Sequence, residues 1–185
     1  LMKSLKNQSA FLSELTLRLI TAILGIPILV LIVWAGDPWF ALATAIVALL
    51  GLAEFYALIA KRWPKPNFPL GLFWTGIFIV HPFLGNIYTI PLAGSASLII
   101  SSPLLFLKLP SRMPTQSWLW TMIGALAIGL TLSHLIFLRH ELYGKEWVIF
   151  TLSTIFATDA GGYFTGKAIG RHKLAPKISP NKTWE

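Results

Sequence analysis

Long uncharged stretches, separated by short polar segments, dominate the chain and predict transmembrane helices. A bilayer core of about 30 Å is crossed by roughly 20 helical residues, because each residue rises about 1.5 Å. Such stretches cover residues 19–35 and 118–138, and residues 147–157 begin another. Residues 39–60 form a similar stretch with Glu54 as the only charge. Residues 70–109 are too many for one helix, so we expect two helices there with a turn near Pro91. The pattern predicts six spans in an all-α, polytopic integral membrane protein.

The composition agrees with a location in the bilayer. Of the 185 residues 55% are hydrophobic and 12% are charged, and the mean hydropathy is +0.70. So few charges cannot cover the surface of a freely soluble globular protein, which excludes that class. The absence of cysteine excludes disulfides, thiolate metal sites and cysteine nucleophiles.

The basic residues predict the orientation of the chain. In so apolar a protein, we interpret the net charge of +8 as fixing orientation and holding anionic substrates, and we expect no nucleic acid partner. Thirteen of the 15 basic residues lie before the first span, in the loops after the second and fourth, or at the end of the sixth. Both termini of this chain are therefore predicted to be cytoplasmic. Residues 1–185 show no repeat or linker and predict a single membrane domain.

Polar residues with chemical potential concentrate in residues 159–185. A carboxylate inside a span costs about 2.5–3.5 kcal/mol, so Asp159 needs a partner or a water-filled cavity. Asp159, Tyr163 and Lys167 are spaced by four and predict one polar stripe on a helix that runs toward the cytoplasm.

A stripe of glycines accompanies the polar stripe: Gly162, Gly166 and Gly170. Glycine at every fourth position lets another backbone, or a phosphate group, come close to the helix. Plain helix packing with an Asp–Lys pair explains the two stripes equally well.

The chain after Gly170 is basic and contains two prolines. Ser179 followed by Pro180 predicts the N-cap and first position of a new helix, whose free N–H groups would face the cytoplasmic interface. Lys182 and Thr183 would lie in its first turn and complete a phosphate site. A basic juxtamembrane segment can also be a topology signal or a contact with anionic lipid.

One apparent nucleotide-binding motif lacks a required residue and the required context. Residues 161–168 fit the phosphate-binding loop pattern G-x-x-x-x-G-K until Ala168, which replaces the Ser or Thr that binds Mg²⁺. That loop follows a β-strand, whereas an apolar helical run precedes it here.

The final segment carries a specific resemblance. The pattern is Asp159-x-x-x-Tyr163-x-x-Gly166-Lys167-x-x-Gly170-Arg171-x-Lys173-Leu174-x-Pro176-x-Ile178-Ser179-Pro180-Asn181-Lys182-Thr183-x-Glu185. It resembles the phosphatidate cytidylyltransferase (CDP-diacylglycerol synthase) family and covers 27 of the 185 residues. The resemblance implies an Mg²⁺-dependent membrane enzyme that joins CTP and phosphatidic acid into CDP-diacylglycerol and pyrophosphate.

The resemblance also implies site residues, with 159–185 as a cytoplasmic-side active-site segment. The implied catalytic residues are Asp159, Lys167 and Lys182, with Asp159 also a metal ligand. The implied substrate-binding residues are Tyr163, Gly166, Lys173, Ser179, Pro180, Thr183 and Glu185. The chain starts with Leu before Met2 and stops inside the motif, so we expect a partial sequence that is inactive alone. The main Mg²⁺ ligands are expected beyond residue 185.

The expected partners are CTP, phosphatidic acid and the bilayer, with a homodimer left open. The expected bilayer is the inner (plasma) membrane of a bacterium. One alternative is a CTP-dependent polyprenol or phytol kinase. Another is a transporter or channel subunit that uses Glu54, Asp159, His81 or His134 as an ion path. A third alternative is a non-catalytic membrane subunit.

Overall fold

The computed structural model describes residues 20, 23–84, 89–105, 114–175 and 179–184. The chain forms two compact units, Leu1–Leu142 and Tyr143–Glu185. In the first unit the helices are α1 (Ile23–Ala35), α2 (Trp39–Ile59), α3 (Phe68–Val80), α4 (Ile90–Ser101), α5 (Pro114–Gly124) and α6 (Thr131–His140). The second unit contains α7 (Gly144–Ala168) and the strands β1 (Lys173–Ala175) and β2 (Ser179–Thr183).

Short helical segments of other types extend the first unit. A 3₁₀ turn, His81–Phe83, follows α3, and another, Ser102–Leu105, follows α4. A π-helical segment, Ala125–Leu130, joins α5 to α6, so that Pro114–His140 is one continuous helix.

Two helices in the described part of the chain are long and apolar enough to cross a membrane: α2 and Pro114–His140. The predicted helices over 39–60 and 118–138 are confirmed. The stretch 70–109 is divided as expected, because α4 begins at Ile90 with Pro91 in its first turn. However, α3 has 13 residues and α4 has 12, so each is roughly 20 Å long against a core of about 30 Å. The number of spans therefore remains a prediction.

A tyrosine holds three helices of the first unit together. The Tyr56 hydroxyl on α2 donates a hydrogen bond to the carbonyl oxygen of Thr121 on α5 over 2.6 Å. Its ring lies directly against Gly71 of α3 and Gly124 of α5, where any side chain would collide with it. Small residues at such contacts let helices pack closely where lipid provides no hydrophobic drive for association.

The loop after α2 is hydrogen-bonded to the start of α5. The Ser117 hydroxyl donates to the Lys65 carbonyl oxygen over 2.6 Å. The backbone N–H of Asn67 donates to Thr121 Oγ1 over 2.7 Å. Asn67 also caps α3, because its side chain accepts a hydrogen bond from the Leu70 amide at 3.1 Å.

At the other end of this helix pair, the end of α6 contacts α1 and a residue just before the start of α2. Arg139 Nε donates to the Val33 carbonyl oxygen at 3.2 Å, and His140 Nε2 lies 2.5 Å from Asp37 Oδ2. Asp37 precedes α2 and His140 ends α6, whereas the loop after α2 contacts the start of α5. The two long helices are therefore antiparallel, with contacts at both ends.

The all-α expectation is wrong for the end of the chain, where β1 and β2 form an antiparallel hairpin. Lys173 pairs with Thr183, and Ala175 pairs with Ser179. The predicted helix start at Ser179 and Pro180 is therefore wrong. The fixed φ of proline is compatible with an edge strand as well as with a helix start, and here pairing with β1 satisfies backbone groups of the segment.

We expect Gly71→Ala to destabilise the first unit, because the new Cβ would overlap the Tyr56 hydroxyl. Overpacking of this kind costs about 1–3 kcal/mol. The loss is measured as a lower midpoint of thermal unfolding in detergent. Gly76→Ala on the same helix is the control, because a Cβ added there would have nothing within 4 Å. Equal midpoints for the two variants would contradict the role of Tyr56.

Candidate active-site segment

The polar stripe predicted from the sequence is present on α7. Asp159, Tyr163 and Lys167 lie at intervals of four residues in this helix, and all three are exposed. The ammonium nitrogen of Lys167 lies 5.9 Å from the centre of the Tyr163 ring, within the range of a cation–π interaction. Tyr163 therefore helps to hold the Lys167 side chain along the helix. Residues 161–168 are entirely helical, which confirms that they are not a phosphate-binding loop.

Asp159 is exposed and forms no ion pair with any other described residue. Its carboxylate oxygens are therefore open to a cation. Mg²⁺ takes oxygen ligands, often one or two carboxylates together with substrate phosphates. Within the ranges that the structure describes, no three acidic or histidine side chains form a metal-binding group. Asp159 thus fits as one ligand and does not complete a site by itself.

The hairpin packs on the glycines of α7 and of the turn that follows it. A Cβ on Gly166 would lie 3.2 Å from Thr183 Oγ1, and a Cβ on Gly170 would lie 2.6 Å from the same atom. Gly162 has nothing within 4 Å of its Cβ position. Two of the three glycines in the predicted stripe therefore accommodate the hairpin of this unit, which the sequence did not predict.

Thr183 Oγ1 is buried and makes no hydrogen bond to the described residues. A buried polar atom without a partner is unfavourable, by about 1–3 kcal/mol in protein measurements. Close packing against Gly166 and Gly170 holds it there. Thr183 thus fixes the hairpin rather than taking part in the first turn of a helix.

Four cationic side chains on or next to the elements that make this contact are exposed. Residues on alternate positions of a strand face opposite sides, so Lys182 faces away from α7 while Thr183 faces it. Exposed cations are found on α7, before β1 and on both strands: Lys167, Arg171, Lys173 and Lys182. His172 is also exposed, and its carbonyl oxygen accepts a hydrogen bond from the Trp184 amide at 3.0 Å, which closes the hairpin.

The remaining predicted site residues are placed as follows. Ser179 and Pro180 begin β2, and Ser179 is half-buried. Glu185 lies outside the described residues, as do Pro176, Lys177 and Ile178. The structure therefore gathers most of the predicted residues in one unit, but in a helix–hairpin arrangement.

This arrangement changes the source of any anion-binding potential. The sequence predicted a helix N-terminus with a partial positive charge. The helix end found here is the C-terminus of α7, which carries a partial negative charge and has Lys167 in its last turn. Phosphates near the hairpin would therefore bind the cationic side chains rather than a helix dipole.

The two histidines of the alternative ion path make local contacts in the first unit. His134 Nδ1 lies 2.7 Å from the Leu130 carbonyl oxygen one helical turn earlier. His81 Nε2 lies 2.9 Å from Thr89 Oγ1, and its ring packs near Phe137. The sequence did not predict the contacts of Arg139 with Val33 and of His140 with Asp37. Their position at the end of an apolar helix was the available sign that these polar side chains need partners.

We expect Gly170→Ala to displace the hairpin from the end of α7, because the new Cβ would overlap the Gly166 carbonyl oxygen and would approach Thr183 Oγ1 to 2.6 Å. A cost of about 1–3 kcal/mol would raise the population of the displaced hairpin at least fivefold. Trypsin should then cleave at Arg171 and Lys173 at least fivefold faster in the purified protein. Gly161→Ala is the control, because its Cβ position is open. The same cleavage rate in both variants would show that the hairpin does not depend on this contact.

Comparisons with known proteins agree with the resemblance of the final segment. A model described as the cytidylyltransferase family matches residues 16–185. The phosphatidate cytidylyltransferase of Brucella suis is 31% identical over 178 residues, which cover 94% of this chain and 62% of that protein. The protein of the same name from Haemophilus influenzae is 29% identical over 192 residues, covering 91% of this chain and 66% of that protein. That from Bacillus subtilis is 41% identical over 64 residues, covering 34% and 24%.

No solved structure matches the chain. The chain spans 62% of the length of the first curated relatives it matches. The match over residues 16–185 nevertheless extends well beyond the 27-residue segment that carried the resemblance, into the apolar helices. This chain belongs to the cytidylyltransferase family.

Proposed function

We propose that this chain is part of a membrane phosphatidate cytidylyltransferase, which transfers a cytidylyl group from CTP to phosphatidic acid. The products are CDP-diacylglycerol and pyrophosphate. One observation carries the proposal: relatives of that name match along nearly the whole chain, 94% of it in Brucella suis. Support comes from the second unit, where an exposed carboxylate and several exposed cations lie around a fixed hairpin.

The reaction brings two anions together. An oxygen of the phosphatidic acid phosphate attacks the α-phosphorus of CTP and forms a new P–O bond. The bond from that phosphorus to the oxygen bridging the β-phosphate breaks, and pyrophosphate leaves. Catalysis therefore depends mainly on positioning and on neutralising charge.

The cations of the second unit suit this task. In the proposal Lys167, Lys173 and Lys182 hold phosphate oxygens of CTP or of the lipid. Tyr163 positions Lys167 through the contact of its ring with the ammonium group. Thr183 positions the hairpin against Gly166 and Gly170, so that the strand lysines have a defined location. When bound, Mg²⁺ supplies further neutralisation of phosphate charge, with Asp159 as one of its ligands.

The proposal includes six spans, with both termini of this chain in the cytoplasm of a bacterium and the site facing that side. CTP is a cytoplasmic nucleotide, and the phosphate of the lipid lies at the headgroup level of the bilayer. A site at the end of an apolar helix can reach both.

In the complete protein, Lys182→Ala should lower cytidylyl transfer at least tenfold, since about 1.4 kcal/mol of charge stabilisation corresponds to that factor. The rate is measured as formation of CDP-diacylglycerol from labelled CTP in detergent micelles that contain phosphatidic acid. Lys145→Ala is the control, because Lys145 is an exposed lysine in the first turn of α7, outside residues 159–185. Normal turnover of Lys182→Ala would remove this lysine from the site. A wild-type protein that instead phosphorylates a polyprenol with CTP would overturn the proposed reaction.

Asp159→Asn should raise the Mg²⁺ concentration that gives half-maximal activity, by about tenfold or more, because the variant loses a carboxylate ligand. Rates are compared over a Mg²⁺ titration at saturating CTP. Glu54→Gln is the control, since Glu54 is an exposed carboxylate in α2 of the first unit. An unchanged Mg²⁺ dependence in Asp159→Asn would contradict the metal role. Activity that falls with Glu54→Gln alone would favour the ion-path residues instead.

A further inference from the structure

We propose that the loop between α2 and α3, residues 60–67, binds the headgroup of an anionic phospholipid at the membrane surface. We call it the α2–α3 loop. Its basic residues follow the second predicted span, where they are expected to fix the orientation of the chain. Its location, charge and attachment to α5 together point to a lipid contact.

The location follows from the length of α2. This helix has 21 residues and is about 31 Å long, which matches a bilayer core of about 30 Å. The loop therefore leaves the hydrocarbon where the lipid phosphates begin. Trp63 in the loop is half-exposed, and its ring lies 5.8 Å from that of Trp120 on α5. Tryptophan rings favour this interfacial depth.

The loop presents positive charge without an internal acid. Lys61, Arg62 and Lys65 are exposed, and none of them forms an ion pair with a described residue. Neither residues 60–67 nor α5 contains an acidic residue, and Glu54, the closest acid before the loop, lies seven residues before Lys61. Three cations beside interfacial aromatic rings complement a lipid phosphate in charge and in depth.

The backbone of the loop is fixed. The Trp63 amide donates to the Ile59 carbonyl oxygen at 2.9 Å, and Ser117 holds the Lys65 carbonyl oxygen at 2.6 Å. The backbone N–H of Asn67 donates a hydrogen bond to Thr121 Oγ1 at 2.7 Å. Pro64 and Pro66 restrict the backbone between these contacts. A topology signal requires charge but no fixed geometry. A fixed loop loses less conformational entropy on binding, which favours a ligand site.

The test uses the complete protein in nanodiscs of phosphatidylcholine with a minor fraction of brominated phosphatidylglycerol or, separately, brominated phosphatidylcholine. Bromine on the acyl chains of the lipid quenches the fluorescence of nearby tryptophan. The quenching that disappears in the variant Trp63→Phe is that of Trp63 and therefore reports on the loop. We expect stronger quenching of Trp63 by the anionic lipid than by phosphatidylcholine, and we call the ratio of the two the lipid preference. This preference should be at least tenfold weaker in the triple variant Lys61→Gln, Arg62→Gln, Lys65→Gln. Both leaflets have the same composition, so the result does not depend on orientation.

The double variant Lys61→Arg, Lys65→Arg keeps the charge and should keep the preference, which separates lost binding from lost folding. Lys145→Gln removes a cation from the second unit and should also leave it unchanged. Equal quenching by both lipids in the wild type, or an unchanged preference in the triple variant, would overturn the proposal and leave the loop as a topology signal. No CTP is present, so failure here is distinct from failure of the proposed activity.

Discussion

The antiparallel packing of α2 against the Pro114–His140 helix is the constraint on which the rest of the first unit depends. Its central contact is the Tyr56 hydroxyl on the Thr121 carbonyl oxygen, with the ring pressed against Gly71 and Gly124. Association of helices in lipid relies on close packing and hydrogen bonds, because apolar side chains gain little by leaving hydrocarbon. One tyrosine and two glycines supply both terms. Gly71 also allows the shorter helix α3 to pack against the same tyrosine ring.

The second unit solves a different problem, which is to hold charged side chains in place beside an apolar helix. Its hairpin has three residues in one strand and five in the other, too few to be stable as an isolated element. The contact of Thr183 with Gly166 and Gly170 supplies the missing support. The exposed lysines are thus carried on a strand with a defined location rather than on a free tail.

The long helices were predictable because their signal is local: twenty consecutive apolar residues have few alternatives to a helix in lipid. The stripe of Asp159, Tyr163 and Lys167 followed from helical spacing alone. The hairpin was not predictable in this way. Ser179 and Pro180 suit both a helix start and an edge strand, and pairing with β1 decides between them. The bond from Arg139 to Val33 spans 106 positions and has no sequence periodicity to reveal it. The role of Thr183 likewise depends on a contact across a turn.

The contacts at both ends of the long helix pair give the first unit a fixed apolar height. With Ser117 bonded to Lys65 at one end and His140 beside Asp37 at the other, neither helix can slide along its partner. A single helix accommodates a thinner or thicker bilayer by changing its tilt, at a modest cost per ångström. A pair joined at both ends changes tilt only as one body. Adaptation by tilt then involves both helices at once, so we expect the acyl-chain length of the surrounding lipids, and not only headgroup charge, to influence where in a membrane this protein resides.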